Sequence, residues 1–190
     1  MILFSPRRNP GRQKAILRCR LRFLSELQAD FSTNKPELTL PRIGLSMEMP
    51  AEFEEVVYYG RGPEENYNDR KTAQRIGLYA TTPEKMMTRY TRPQSNGNRE
   101  EVRYASLSDG KRGLCFIPSE PMSFSAIPYS EMELFLTDHD YKLPASKRTT
   151  VHLDVGITGL GGASCGQGGP LPEDRILASP TSFRLKMTRK

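Results

Sequence analysis

Ile43-Gly44-Leu45-Ser46-Met47-Glu48-Met49 alternates large apolar residues with small or polar ones for seven positions. Period two puts Ile43, Leu45, Met47 and Met49 on one face of an extended chain and Gly44, Ser46 and Glu48 on the other. The stretch predicts a strand with one face on a core. The same alternation recurs outward from it: Val102 and Tyr104 against Glu101 and Arg103, Val151, Leu153 and Val155 against His152 and Asp154, and Phe183, Leu185 and Met187 against Arg184 and Lys186. Glu54–Tyr59, Arg75–Tyr79, Gly113–Ile117 and Met122–Ile127 are rich in β-branched and aromatic residues and also read as strands. Asp109-Gly110 suits a hairpin connection and Asn96-Gly97 a second turn. One helix is expected at Ser130, where Glu133 completes a capping box before Leu134, Phe135 and Leu136, lasting two or three turns. The fold class is all-β, an antiparallel β-sandwich.

The length of 190 residues suits one domain, or the larger part of one. The net charge of +6 resembles a nucleic-acid signal, but its distribution says otherwise. Residues 1–25 hold Arg7, Arg8, Arg12, Lys14, Arg18, Arg20 and Arg22 with no acid; without these seven the rest carries −1. Residues 1–26 are therefore set apart as a basic segment, and residues 27–190 as the sandwich. The segment has three readings: a flexible tail or ill-defined start of the reading frame, a disrupted strand pair in which Leu17, Leu21, Phe23 and Leu27 still pack, or a transit peptide or nucleic-acid arm. Cys19, Cys115 and Cys165 are an odd number without paired spacing, which argues for a reducing compartment, and a cytoplasmic location is expected. No apolar run approaches the roughly 20 residues of a membrane helix. Neither a membrane nor a nucleic acid is an expected partner.

Three motifs go further. The first is Gly60-Arg61-Gly62-Pro63-Glu64-Glu65-Asn66-Tyr67-Asn68-Asp69-Arg70-Lys71, preceded by Leu40-Pro41-Arg42-Ile43-Gly44. The second is Tyr90-Thr91-Arg92-Pro93-Gln94-Ser95-Asn96-Gly97-Asn98-Arg99, with Val102-Arg103 after it. The third is Leu153-Asp154, Gly159, Gly161-Gly162 and Ser164-Cys165-Gly166. Together they resemble the C-terminal domain, or small chain, of glycoside hydrolase family 2 β-galactosidases, from about Leu38 to the end. Glu64 stands where that family carries His or Gln, Ser95 where it carries Glu, and this chain has no Trp for its last loop.

The resemblance implies the C-terminal part of a galactose mutarotase-like super-sandwich. It also implies hydrolysis of terminal β-D-galactosides with retention by the intact enzyme, as in lactose catabolism. The catalytic glutamates would lie in an upstream barrel, so no catalytic residue is assigned here and the domain is expected to be non-catalytic by itself. Implied partners are β-galactoside sugars, the catalytic barrel of the same enzyme and further copies in a homo-oligomer. Implied cofactors are none in this chain, with Mg2+ and Na+ or Ca2+ bound elsewhere in intact members, and a periplasmic location for the intact protein is the second option.

Site expectations follow. Arg61, Asn66, Tyr67, Asp69 and Arg70 are expected to hold the first motif as a structural loop, with Arg61, Asp69 and Arg70 forming an ion-pair network. Gly60 and Gly62 allow tight backbone turns there. Ser164, Cys165 and Gln167 of the glycine-rich loop are the candidates for polar sugar contact. Retaining glycosidases need two carboxyls roughly 5 Å apart. Glu54-Glu55 and Glu64-Glu65 are adjacent, so on a strand they diverge. Cys165 is read as a packing thiol, not a nucleophile, and His139 and His152 lack a ligand set for a metal. Two alternatives stand beside the enzyme-domain reading. One is a free-standing carbohydrate-binding module stacking sugars on Tyr58, Tyr59, Tyr67 and Tyr79; the other is an inactive fragment of a disrupted gene.

Overall fold

The computed structural model describes residues 25–161 and 168–190. Five strands come first: β1 (Ser25–Phe31), β2 (Thr39–Leu40), β3 (Arg42–Pro50), β4 (Glu55–Gly62) and β5 (Arg75–Thr81), then a single-turn helix α1 (Pro83–Met86). β6 (Arg99–Val102), β7 (Tyr104–Ser108), β8 (Gly113–Pro118) and β9 (Met122–Ile127) precede helix α2 (Glu131–Leu136). β10 (Arg148–Ile157), β11 (Ile176–Leu177) and β12 (Thr181–Arg189) complete the order. They form a six-stranded sheet, β1-β12-β8-β7-β4-β5, and a four-stranded sheet, β3-β10-β9-β6, with β11 and β2 as a separate pair. All described pairings are antiparallel, so the chain is an all-β sandwich.

Register explains the core. Leu153 lies opposite Leu45 and Phe124, and Val151 opposite Met47 and Ala126, so the apolar set of the small sheet shares one face. Tyr58, Ala105 and Phe116 line up across the large sheet in the same way. The two faces meet, with the Tyr58 and Phe124 rings 6.3 Å apart. Strands β9 and β10 are buried on their other face too, and there, Ile127 apart, the residues are polar: Ser123, Ser125, Thr150, His152 and Asp154. A fully buried sheet normally carries apolar residues on both faces, so this polar outer face is a distinctive feature of the fold.

Two expectations are corrected. Val102 and Tyr104 do not share a strand: β6 belongs to the small sheet and β7 to the large one. The register shifts between Arg99 and Val102, and Glu101 takes φ +56° at that irregularity. The local bend sends the chain from one sheet to the other. Helix α2 has the expected reciprocal Ser130–Glu133 capping box but only six residues, fewer than two turns. Thr137 already has extended backbone. The hairpin at Asp109-Gly110 joins β7 to β8. Asp109 Oδ1 accepts from the backbone of Lys111 (2.9 Å) and Arg112 (2.6 Å), and Gly110 takes φ +82°.

Candidate functional site

The first motif begins on β4 and leaves the large sheet at Gly62. Gly60 lies against β6: a Cβ there would stand 2.6 Å from Val102 Cγ2 and 2.9 Å from Val102 Cα. Arg61 projects from β4 and its Nε donates to Glu101 Oε1 at 2.8 Å. Its Nη1 donates to the carbonyl of Gln74 at 2.9 Å, closing the far end of the loop. Lys71 Nζ also reaches Glu101 Oε1 at 3.4 Å. The Arg61 hydrogen bond holds the Glu101 carboxyl below the usual carboxylate range.

Asn66 is fully buried and uses its whole amide. Nδ2 donates to the carbonyls of Arg61 (3.2 Å) and Glu64 (2.9 Å), and Oδ1 accepts from Glu100 N (2.9 Å). Its backbone N–H donates to Asn98 O (2.9 Å), and its carbonyl accepts from Asn98 Nδ2 (2.8 Å). The second motif is thereby tied to the first. Glu65 is the other tie: it accepts from Tyr90 Oη, Gly97 N (3.0 Å), Tyr67 Oη (3.2 Å) and Arg70 Nη2 (3.1 Å). Burial pushes its carboxyl up, but the Tyr90, Gly97 and Tyr67 hydrogen bonds and the Arg70 charge bring it net below the ordinary value. Tyr67 is buried, and burial together with the Glu65 charge pushes its phenol up.

Asn68 and Asp69 face the third motif. Gly161 N donates to Asp69 Oδ2 at 2.7 Å, and a Cβ on Gly159 would stand 2.5 Å from that same oxygen. Asn68 Nδ2 donates to Asp174 Oδ1 at 3.2 Å, and Gly159 N to Asp174 O at 2.9 Å. Two consecutive residues therefore strap both flanks of the glycine-rich stretch, Gly159–Gly161 before it and Asp174 after it. Beside the strap lies an open cleft of about 550 Å³, lined among others by Glu64, Glu65, Asp69, Arg70, Lys71 and Gln74.

The structure thus brings Arg61, Asn66, Tyr67, Asp69 and Arg70 into one loop. The ion-pair partners differ from the expected ones: Arg61 pairs with Glu101 and Arg70 with Glu65, while Asp69 turns to the backbone of Gly161. Glu65 was read from sequence only as a solvated or loop-fixing carboxylate, and Asn98, Glu100, Glu101 and Tyr90 were given no role; Asn96-Gly97 marked a turn but not that its Gly97 N–H serves Glu65. Ser164, Cys165 and Gln167 lie outside the described residues. The tyrosine platform does not form, because Tyr58 and Tyr67 are buried and Tyr58 stacks inward on Tyr79 at 5.4 Å. His139 stacks on Tyr141 and His152 is buried beside Glu131. Among the described residues no three His, Cys, Asp or Glu side chains are grouped to hold a metal ion. No helix among them is long and apolar enough to cross a membrane.

Comparison with known proteins gives this loop system a context. Residues 12–187 match the family described as beta-galactosidase small chain, a span that includes all three motifs. A beta-galactosidase of Priestia megaterium is 38% identical over 159 residues, covering 82% of this chain and 15% of the relative. Those of Staphylococcus xylosus (33%, 67% of this chain, 13% of the relative) and Halalkalibacterium halodurans (34%, 73% and 14%) align likewise. The chain spans about 15% of the length of the relatives it matches. With the family matched across nearly all of its length, and two motif loops tied by Glu65 and Asn66, this chain belongs to the beta-galactosidase small-chain family.

Proposed function

We propose that the chain is a non-catalytic sandwich domain of a family 2 β-galactosidase that sets the glycine-rich loop against the bound galactoside. The observation that carries this reading is the strap, in which Asn68 and Asp69 tie both flanks of that loop to the hydrogen-bonded network of the first motif. A loop mounted on such a base is suited to polar recognition of sugar hydroxyls. In the intact enzyme the reaction is hydrolysis of terminal β-D-galactosides with retention. The paired carboxyls this needs would come from a separate barrel domain. The domain's partners are then that barrel, the galactoside and further copies of the enzyme, and its place is lactose breakdown in the cytoplasm. A free-standing carbohydrate-binding module is disfavoured, since two of its four tyrosines are buried.

The test is complementation. The purified chain alone should not turn over a chromogenic β-galactoside. Mixed with a β-galactosidase polypeptide lacking its small-chain region, it should restore turnover, and Asp69→Ala should raise KM more than it lowers kcat. Turnover by the chain alone, abolished by Glu65→Gln, would overturn the proposal.

A further inference from the structure

On the outer face of the small sheet four elements converge. His152 and Asp154 of β10 face the same way as Ser46 and Gly44 of β3 and Ser125 and Ser123 of β9. Arg42 from the start of β3 and Glu131 from the first turn of α2 close over them, with Ser95 between. Arg42 Nη1 lies 3.3 Å from Glu131 Oε1 and 3.6 Å from Asp154 Oδ2. Arg42 Nη2 donates to Ser95 Oγ (3.2 Å), which donates to Glu131 Oε1 (3.1 Å). His152 Nε2 lies 3.4 Å from the same Glu131 oxygen. The side chains of Asp154 and His152 are 3% and 6% exposed. Arg42 Nη1, His152 Nε2 and Asp154 Oδ2 make no hydrogen bond among the described residues; the contacts of Arg42 with Glu131 and Asp154 are ion-pair approaches.

Charge counting sets the problem. One guanidinium faces two carboxyls, and a third, Glu100 of β6, lies near enough to act on Asp154. His152 is held neutral by burial and by Arg42, so it offers no second cation. A Cβ on Gly44 would stand 2.3 Å from Asp154 Oδ1, so β3 leaves room for nothing between strand and carboxyl. Arg42 can balance one anion here, and a second buried negative charge carries a large desolvation cost.

We propose that Arg42, Glu131, His152 and Asp154 form a proton-linked latch, in which a proton held by Asp154 leaves Arg42 free to pin the start of α2 through Glu131. Burial, with Glu131 and Glu100 adding to it and Arg42 opposing, pushes the Asp154 carboxyl up to about 7. With the proton bound, Arg42 and Glu131 neutralise each other. When the proton leaves to water, the Asp154 carboxylate draws Arg42 Nη1 and repels Glu131. The start of α2 then loosens, while Glu133 keeps the rest of the helix tethered to Arg148 at 2.7 Å. The helix presents Met132, Phe135 and Leu136 to solvent, so the latch sets the posture of an exposed apolar ridge.

The sign of the linkage follows. The folded-state value lies above the ordinary 3.8, so the stabilisation is complete below about 3.8 and is lost as pH rises through about 7. The test uses the full chain and two variants, followed by infrared spectroscopy of the protonated-carboxyl stretch and by hydrogen exchange of residues 128–137 from about pH 5 to about pH 9. The wild type should lose one protonated carboxyl near neutrality and, in step, lose protection in α2 beyond the intrinsic pH effect. Asp154→Asn should show neither change. Glu131→Gln should fold and shift the carboxyl loss to lower pH, because one repelling anion is gone. A neutral-range carboxyl loss that persists in Asp154→Asn would overturn the proposal. So would α2 protection that follows pH identically in wild type and Asp154→Asn, or an unmoved midpoint in Glu131→Gln.

Discussion

Asn66 shows how much of the site rests on single side chains. Replacing it with Ala strands Glu100 N in a buried place and removes the bonds to the carbonyls of Arg61 and Glu64 at its part-buried margin. Unpaired buried groups of this kind destabilise by about 1–3 kcal/mol each, so Asn66→Ala should cost about 2–4 kcal/mol in urea unfolding, allowing partial relaxation. Glu101 makes a pH prediction. Its folded-state value is depressed below 4.5, first by the Arg61 hydrogen bond, so its contribution is present above 4.5 and is lost as pH falls below that. Thermal unfolding across the acid range should therefore fall more steeply for wild type than for Glu101→Gln, and equal slopes would remove Glu101 from the network. From sequence, Arg61, Asn66, Tyr67, Asp69 and Arg70 were read as one loop-holding set, and they lie in one loop. Their partners were not, because Glu101 lies 40 residues from Arg61, and Gly97 lies 32 from Glu65. Residue type announces a need for a partner, and only the sheet pairing decides which one arrives.

At the scale of elements, period two located β3, β10 and β12, since one-faced burial leaves its trace in every second residue, and β-branched and aromatic content located β4, β5, β8 and β9. Period two failed at Val102 and Tyr104, where alternation continued through a change of sheet, and along β10, where a buried polar face looks like solvent-facing sequence. The passage from β6 to β7 depends on β4 lying close beneath it at Gly60. A methyl group there meets the Val102 Cα and side chain, and backbone cannot yield as a flexible side chain does. Gly60→Ala should therefore destabilise by about 1–3 kcal/mol, the usual range for overpacking a filled interior. Circular dichroism melts would show it, and an unchanged Tm would mean that the two sheets separate there at little cost. The capping box at Ser130 was readable because its partners are three residues apart; α2 proved short because the chain adopts extended backbone at Thr137, well before Pro144.

Across the whole molecule, the core between the sheets is closed, and the uncovered apolar surface lies outside it. Tyr59, Ile76, Leu78 and Ile117 are 40–70% exposed on the large sheet, and β5 forms one edge of that sheet. An exposed edge with apolar neighbours invites pairing between copies. Leu78→Lys should slow aggregation of the purified chain in light scattering while leaving its Tm within about 1 °C, given that surface changes usually stay within ±0.5 kcal/mol. Faster aggregation would place the sticky surface elsewhere. Strand order carries one more consequence. β12 is the last strand in the chain, yet it sits between β1 and β8, pairing Ser25–Phe31 on one side and Leu114–Pro118 on the other. During synthesis on the ribosome, β1 and β8 are both made before β12, the neighbour they share. Both gain this neighbour only once Thr181–Arg189 has been made, so the large sheet joins segments far apart in the sequence, and losing that one strand would part β1 from β8.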